Sequence, residues 1–415
     1  MIRIAFISDV HFGFHYGSPT GEDSFRQAGE AFDLAVSRGA DLIVIPGDLF
    51  DSRVPRQEVW AEALRVLQKP LLATPSRAKF AGFHGRETKV NPIAFRGIPV
   101  VAVHGTHERR GGGAINPLHI LHEAGYLIHL HCNTALFDVG GERIAVHGFS
   151  GVPEHYAAQV VKQWNPQPLP GMRNIVFFHQ NVKGYLYAGE DEEAYVNLSD
   201  FAPGFDLIVD GHIHSPLWEP SKRFLIVGST VMTQQNKSEA SSKKGIWLAE
   251  LGDGEPKMEF AKLETQRPFF LKELTFEGAE PKEVLARARK ELEQVMAQKH
   301  SMKPFVRLKL SGSLKQGVDG GASLTDEAIT SGFDAFINVA RDFDENSFRY
   351  RIAALREKQQ AKLTPEERGL RIVDELLSQN GYKGIPPEEI IEPLSEGDAD
   401  AVVRKVLERV QKNVT

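Results

Sequence analysis

The chain has 415 residues, of which 41% are hydrophobic and 25% charged, with a formal net charge of −6. This composition excludes a mainly disordered chain, and the length allows two or three domains, since single domains usually run about 100–200 residues. The negative balance argues against coating of nucleic acid by bulk charge, and no apolar run reaches the roughly 18 residues of a membrane span.

The single cysteine, Cys132, allows no internal disulfide and fits a reducing compartment. Arg3 breaks the first apolar stretch, so no signal peptide is expected there. That stretch, Ile4 to Ile7, reads as a buried strand delivering Asp9 and His11 on one side through strand alternation. Apolar positions Phe25, Ala28, Phe32, Ala35 and Val36 predict a helix over residues 23–38 closed by Gly39, and a second strand runs from Leu42 into Pro46-Gly47-Asp48. Pro55 is placed as the first residue of a helix that Pro70 ends, and residues 74–99 read as a long loop with at most short elements.

A third strand, Val100 to Val103, leads to His104-Gly105-Thr106-His107-Glu108, and a short helix around Leu118 follows a glycine run. Gly140-Gly141 predicts a hairpin, and residues 154–164 a helix. Ile175 to Phe178 ends in His179, and Leu207 to Val209 in Asp210-Gly211-His212-Ile213-His214. Phe224–Val227 and Lys244–Leu251 are expected to close a second sheet, ending a first domain over residues 1–262. Strand, helix, strand from Phe269 to Leu310 indicates a small α+β domain, residues 267–354. A polar linker, 355–368, precedes a helical segment, 369–415, built on two amphipathic helices.

Five apolar strands thus end in Asp or His. That donor set suits two divalent cations of the Mn, Fe or Zn kind, which accept imidazole and carboxylate together. A carboxylate such as Asp48 can bridge a metal pair that activates water and clamps the oxygens of a displacement at phosphorus. His107 is placed to protonate the leaving oxygen, with Glu108 orienting its ring. A lone Asp-x-His is as often a capped turn as a ligand; five such motifs in order are far harder to obtain by chance.

Asp9-Val10-His11, Gly47-Asp48-Leu49-Phe50-Asp51, Gly105-Thr106-His107-Glu108, His179 and Gly211-His212-Ile213-His214 resemble the signature of the calcineurin-like metallophosphoesterases. The phrases around Ser52, Arg109-Arg110, His179-Gln180, Gly228-Ser229-Thr230 and Arg267-Pro268-Phe269 are similar to archaeal members of the SbcD/Mre family of DNA double-strand-break repair nucleases. The resemblance implies an α/β fold, a β-sandwich flanked by helices, with a DNA-binding capping domain and a C-terminal segment that docks an SbcC/Rad-type coiled-coil ATPase. It implies one metal on Asp9, His11, Asp48 and His214, and another on Asp48, Thr106, His179 and His212. The metals would be two Mn2+, with Mg2+, Fe2+ or Zn2+ as alternatives. Threonine stands at 106 where the family has asparagine, implying a weaker second site.

Arg109, Arg110, Lys222, Arg223, Lys243 and Lys244 are the candidate phosphate contacts. The same resemblance implies a homodimer through the helix of residues 55–69, with Trp60 and Leu64 as anchors, and the helix near Leu118. A cytoplasmic, nucleoid-associated, prokaryotic setting of archaeal type goes with it, with DNA ends as substrate. The activity expected is exonuclease and single-strand endonuclease cleavage. The alternatives are a DNA-end-bridging scaffold weakened at Thr106 and a small-molecule phosphoesterase, the latter disfavoured by the long stretch beyond residue 262.

Overall fold

The computed structural model describes residues 1–111, 113–185, 195–315 and 324–343, together with Leu370 and Pro386. The linker and the two C-terminal helices expected from the sequence therefore lie outside the described residues.

Two sheets dominate. The first joins β1 (Ile2–Phe6), β2 (Leu42–Pro46), β4 (Val100–Val103), β5 (Ile128–His129), β12 (Gly245–Leu251) and β13 (Lys257–Lys262) in the order β13-β12-β1-β2-β4-β5. The second joins β3 (Ala78–His84), β6 (Asn133–Val139), β7 (Glu142–Phe149), β8 (Arg173–Phe178), β9 (Leu207–Asp210), β10 (Leu217–Glu219) and β11 (Phe224–Ile226) in the order β10-β11-β9-β8-β7-β6-β3. Strands β1, β2 and β4 run parallel to one another, as do β7, β8 and β9.

Strand alternation explains the layering. Ile2, Ile4, Phe6, Leu42 and Val44 share one core with Ile175, Phe177, Leu207 and Val209 of the other sheet. The intervening residues Ala5, Ile7, Ile43 and Ile45 pack instead under helices α1 (Asp23–Ser37), α2 (Gln57–Leu72) and α3 (Pro117–Ala124). On the far side Val176 and Phe178 meet Ala157 and Val161 of α4 (Glu154–Trp164). The strands thus bury both faces, which is why they read as unbroken apolar runs and not as alternating ones.

The helix signals are largely realised. Gly39 follows α1 at φ +66°, and α3 is capped by the Asn116 side chain at its start and by Gly125 in the left-handed region at its end. Three expectations are corrected. Helix α2 starts at Gln57, two residues beyond Pro55, and carries Pro70 in its last turn as far as Leu72; so near the end, one missing amide bond is tolerated. Residues 74–99 contain β3 and a short 3-10 turn, Pro92–Phe95. Phe224–Ile226 and Gly245–Leu251 fall in different sheets, the second beside β1, because Leu251 to Trp247 pair antiparallel with Ile2 to Phe6.

A third sheet holds β14 (Phe269–Ala279), β15 (Phe305–Leu314) and β16 (Phe336–Phe343) in that order. Helix α6 (Pro281–Met296) buries Val284, Ala288, Leu292 and Val295 at helical spacing. The described chain forms two compact units: Met1–Leu274 with Lys282–Leu310 and residues 324–341, and Thr275–Pro281 with residues 311–315 and 342–343. Within the second, Lys315 Nζ lies 2.7 Å from Glu280 Oε1. Among the described residues no helix is long and apolar enough to cross a membrane.

One polar knot sits inside the second sheet. His147 of β7 is 1% exposed, with Nδ1 2.9 Å from Thr134 Oγ1 and Nε2 3.3 Å from Asn174 Oδ1. Burial outweighs the Asn174 bond and pushes its pKa down to about 4. The fold therefore holds the neutral ring, and its contribution is present above the unfolded pKa of about 6.5 and lost as pH falls toward 4. His147→Gln should make the acid-side loss of stability between these values shallower by up to about 3 kcal/mol. Urea unfolding at pH 7 and pH 4.5 measures this, and an unchanged slope against pH would discount the knot.

Candidate metal centre

Asp9 and His11 do not sit on a strand. Strand β1 stops at Phe6, and the two residues occupy the left-handed region at φ +48° and +49°. Asp48 (φ +46°) and His212 (φ +63°) share that conformation. Non-glycine residues are uncommon there, and such strain is kept where the surroundings over-determine it, often at functional sites. Left-handed turns past the strand ends, and not strand alternation, aim these side chains at one point. Backbone bonds hold the turns: Asp9 N–H donates to Gly47 O at 3.2 Å and His11 N–H to Asp48 O at 3.0 Å.

The ends of β1, β2, β4, β8 and β9 meet as the motifs imply. Asp9, His11 and His214 form one group, Asp9, Asp48 and His179 a second, and His11, Asp48 and His107 a third, each with its ligand atoms within 4.8 Å of one another. His214 Nε2 lies 3.5 Å and His11 Nε2 4.0 Å from Asp9 Oδ1, while His179 Nε2 lies 3.1 Å from Asp48 Oδ2. His212 packs against His179 with ring centroids 5.1 Å apart, and burial lowers its pKa to about 4, leaving it neutral. Gly47 makes room for this approach: at φ +100°, a Cβ there would lie 2.4 Å from His179 Nδ1.

Three histidines are oriented the same way. His179 Nδ1 lies 2.7 Å from Pro46 O, His11 Nδ1 3.1 Å from Asp51 Oδ1, and His214 Nδ1 2.7 Å from Thr233 Oγ1. Each outer nitrogen is engaged, so each Nε2 turns inward toward a carboxylate. Asp9 Oδ1, His11 Nε2 and His179 Nε2 are buried without a hydrogen-bond partner among the described residues. Orphaned buried acceptors are costly, and outward-tied imidazoles are the usual support of metal-ligating histidines. The residues present therefore fit borderline divalent cations.

Thr106 reaches the same point, its Oγ1 3.3 Å from Asp48 Oδ2, and the His107 N–H donates to Asp48 Oδ1 at 2.9 Å. Glu108 takes a different place from the one expected. It is fully buried, with Oε1 accepting from Phe50 N–H at 2.7 Å and Oε2 from Gly105 N–H at 3.0 Å, so it staples two strand-end loops. Burial, with Asp48 nearby, pushes its pKa up to about 8. The ring of His107 is held by Asp51, whose Oδ1 and backbone O lie 3.4 Å and 3.3 Å from Nδ1. That bond raises the His107 pKa to about 9; on Asp51, burial is outweighed by hydrogen bonds from His107 and His11, bringing it down to about 2. Asp51 is the residue the sequence left without a role, although it stands three positions from Asp48.

The candidate phosphate contacts are unequal. Lys243 is exposed, but Lys222 pairs with Glu219 at 3.1 Å, Arg223 with Glu255 at 2.7 Å, and Arg110 donates to Ile115 O at 2.9 Å. Arg109 is half-buried, with an Nη1 that lacks a partner among the described residues. Lys244 is excluded as a surface contact because it is 0% exposed and ion-paired to Glu239. Trp60 and Leu64 are half-buried and pack on their own core, Trp60 against Phe50 with ring centroids 4.7 Å apart.

The chain is similar in sequence to several known proteins. Residues 2–216 match the family model described as calcineurin-like phosphoesterase. "Double-strand break repair protein MRE11" of Coprinopsis cinerea is 28% identical over 329 residues, covering 68% of this chain and 44% of that protein. The human protein of the same name is 26% identical over 309 residues (66% and 42%), and "Double-strand break repair protein mus-23" of Neurospora crassa 27% over 305 residues (66% and 40%). The chain thus spans less than half the length of these curated relatives. The family implies divalent metal binding, and the Asp and His clusters are candidate sites for it. With the match extending over more than half of its residues and the ligand cluster at the strand ends, the chain belongs to the calcineurin-like phosphoesterase family.

Proposed function

We propose that the chain is a dimetal-dependent DNA nuclease that processes double-strand breaks. The observation that carries this reading is the inward-facing set of Nε2 atoms of His11, His179 and His214 around Asp9 and Asp48. The choice of DNA rests on the relatives' being double-strand break repair proteins by name, with matched stretches over about two thirds of this chain. Asp9, His11, Asp48 and His214 would hold one cation, and Asp48, Thr106, His179 and His212 the other, with Mn2+ the preferred ion. Bound metals of this kind lower the pKa of water and stabilise charge on the phosphoryl oxygens.

The protein's own part is positioning and proton transfer. Asp51 fixes the ring of His107 through Nδ1, leaving Nε2 as the proton donor to the departing oxygen. The His107 amide meanwhile holds Asp48, so acid and ligand share one short segment. Lys243 and Arg109 remain the candidate phosphate contacts. The region 267–354 is proposed as a DNA-binding cap, residues 369–415 as the docking segment for an SbcC/Rad-type ATPase, and the working form as a homodimer.

Cleavage of end-labelled duplex and hairpin DNA in Mn2+ tests the core of this reading. His107→Ala should lower the rate by about 10²–10⁴-fold, the usual contribution of a general acid, with Mn2+ affinity retained. Thr106→Asn should raise Mn2+ affinity at one site. If neither DNA is cut in Mn2+ while a nitrophenyl phosphodiester is, the small-molecule reading replaces this one.

A further inference from the structure

One support of the cluster, behind His214, involves a fully buried lysine. Lys244, just before β12, is 0% exposed, and its Nζ lies 2.8 Å from Glu239 Oε2, 2.7 Å from Ser229 Oγ and 3.3 Å from the backbone O of His214. The ammonium thus donates to a hydroxyl and a backbone carbonyl and is neutralised by the Glu239 carboxylate. Glu239, at the end of this contact, turns its other oxygen to the histidine: Oε1 lies 3.2 Å from His214 Nδ1, beside Thr233 Oγ1 at 2.7 Å. Glu239 itself sits in α5 (Lys237–Ser241), which the Asn236 side chain caps by accepting from Glu239 N–H at 2.9 Å.

Lys244 therefore grips His214 twice, directly at its carbonyl and through Glu239 at its ring. Burying a lysine is expensive, and an apolar side chain of similar length would be as good or better for stability alone. A role in fold stability thus leaves the charge unexplained. A carboxylate on Nδ1 does explain it, because it keeps the proton on Nδ1 and the lone pair on Nε2, which lies 3.5 Å from Asp9 Oδ1. We infer that Lys244 and Glu239 are positioning residues that set the tautomer and direction of His214 as a metal ligand. This rests on the metal-centre reading above and adds the residues that tune one of its two sites.

The test is Mn2+ titration calorimetry on the full chain, with thermal melting in EDTA beside it. The double variant Glu239→Gln/Lys244→Met removes both charges together, so no unpaired charge stays buried. It should melt near the unmodified protein in EDTA yet bind one Mn2+ about 10–100-fold more weakly, the usual loss for a supporting partner. Glu239→Asp keeps the charge pair but draws the carboxylate back from Nδ1, and should weaken the same site at least several-fold; it decides the matter if the double variant does not fold. Unchanged Mn2+ affinity in whichever of these variants is folded overturns the inference. His214→Ala separates the two levels: if it too leaves both Mn2+ affinities unchanged, the metal-centre assignment itself fails, whereas a loss in His214→Ala alone rejects only the role of Lys244 and Glu239.

Discussion

Asp48→Asn should reduce Mn2+-dependent phosphodiester cleavage by roughly 1,000-fold or more, beyond the 10–100-fold that follows loss of a merely supporting group. Asp48 belongs to two of the three candidate ligand groups, and it is 2% exposed. Its Oδ1 accepts the His107 N–H at 2.9 Å, and its Oδ2 lies 3.1 Å from His179 Nε2. Asparagine keeps the size and an acceptor for the amide, but it removes the negative charge that two cations would share. The damage should therefore be confined to metal binding. Calorimetry should show both Mn2+ affinities falling, while the melting temperature in EDTA stays within a few degrees of the unmodified protein. A variant that binds Mn2+ normally and still cuts would remove Asp48 from the centre.

Gly105→Ala should be almost as damaging, by a different route. A Cβ on Gly105 would lie 2.2 Å from Asp48 Oδ1 and 2.6 Å from the Asp48 backbone N. Neither neighbour is the free end of a flexible chain: the carboxylate is held by the His107 amide, and the backbone of Asp48 receives His11 N–H. Glu108 also ties Gly105 N–H to the loop of Phe50. An extra methyl in so tight a place costs about 3 kcal/mol, at the upper end of ordinary overpacking. The expected result is a lower melting temperature in EDTA together with at least a tenfold loss of Mn2+ affinity. Retention of both would mean that the β2 and β4 ends can part without disturbing the ligands.

Much of this protein is legible in the sequence because both sheets are buried on both faces. Ile4 to Ile7, Leu42 to Ile45 and Ile175 to Phe178 stand out as apolar runs, and each is followed within a few residues by Asp or His. Helices α1, α3 and α4 are legible in the sequence from their apolar positions, with Gly39 closing the first. The strand-end ligands could thus be named before any coordinates, since chain order and residue type are local properties.

What only the tertiary structure decided concerns contacts between segments distant in sequence. Sheet membership of β12 depends on pairing with β1 across more than 200 residues, which no local pattern encodes. The left-handed turns at Asp9, His11, Asp48 and His212 are held by the surrounding loops in a region that non-glycine residues adopt uncommonly, though Asp and His more often than most. The exchange of roles between Glu108 and Asp51 has the same origin: adjacency to His107 in sequence placed Glu108 behind the loop, where two amides take its carboxylate, while Asp51 came across from β2. Lys244 looked like a surface cation because lysines usually are. Its burial is set by Glu239, Ser229 and the carbonyl of His214, three partners that only the folded chain brings around one ammonium.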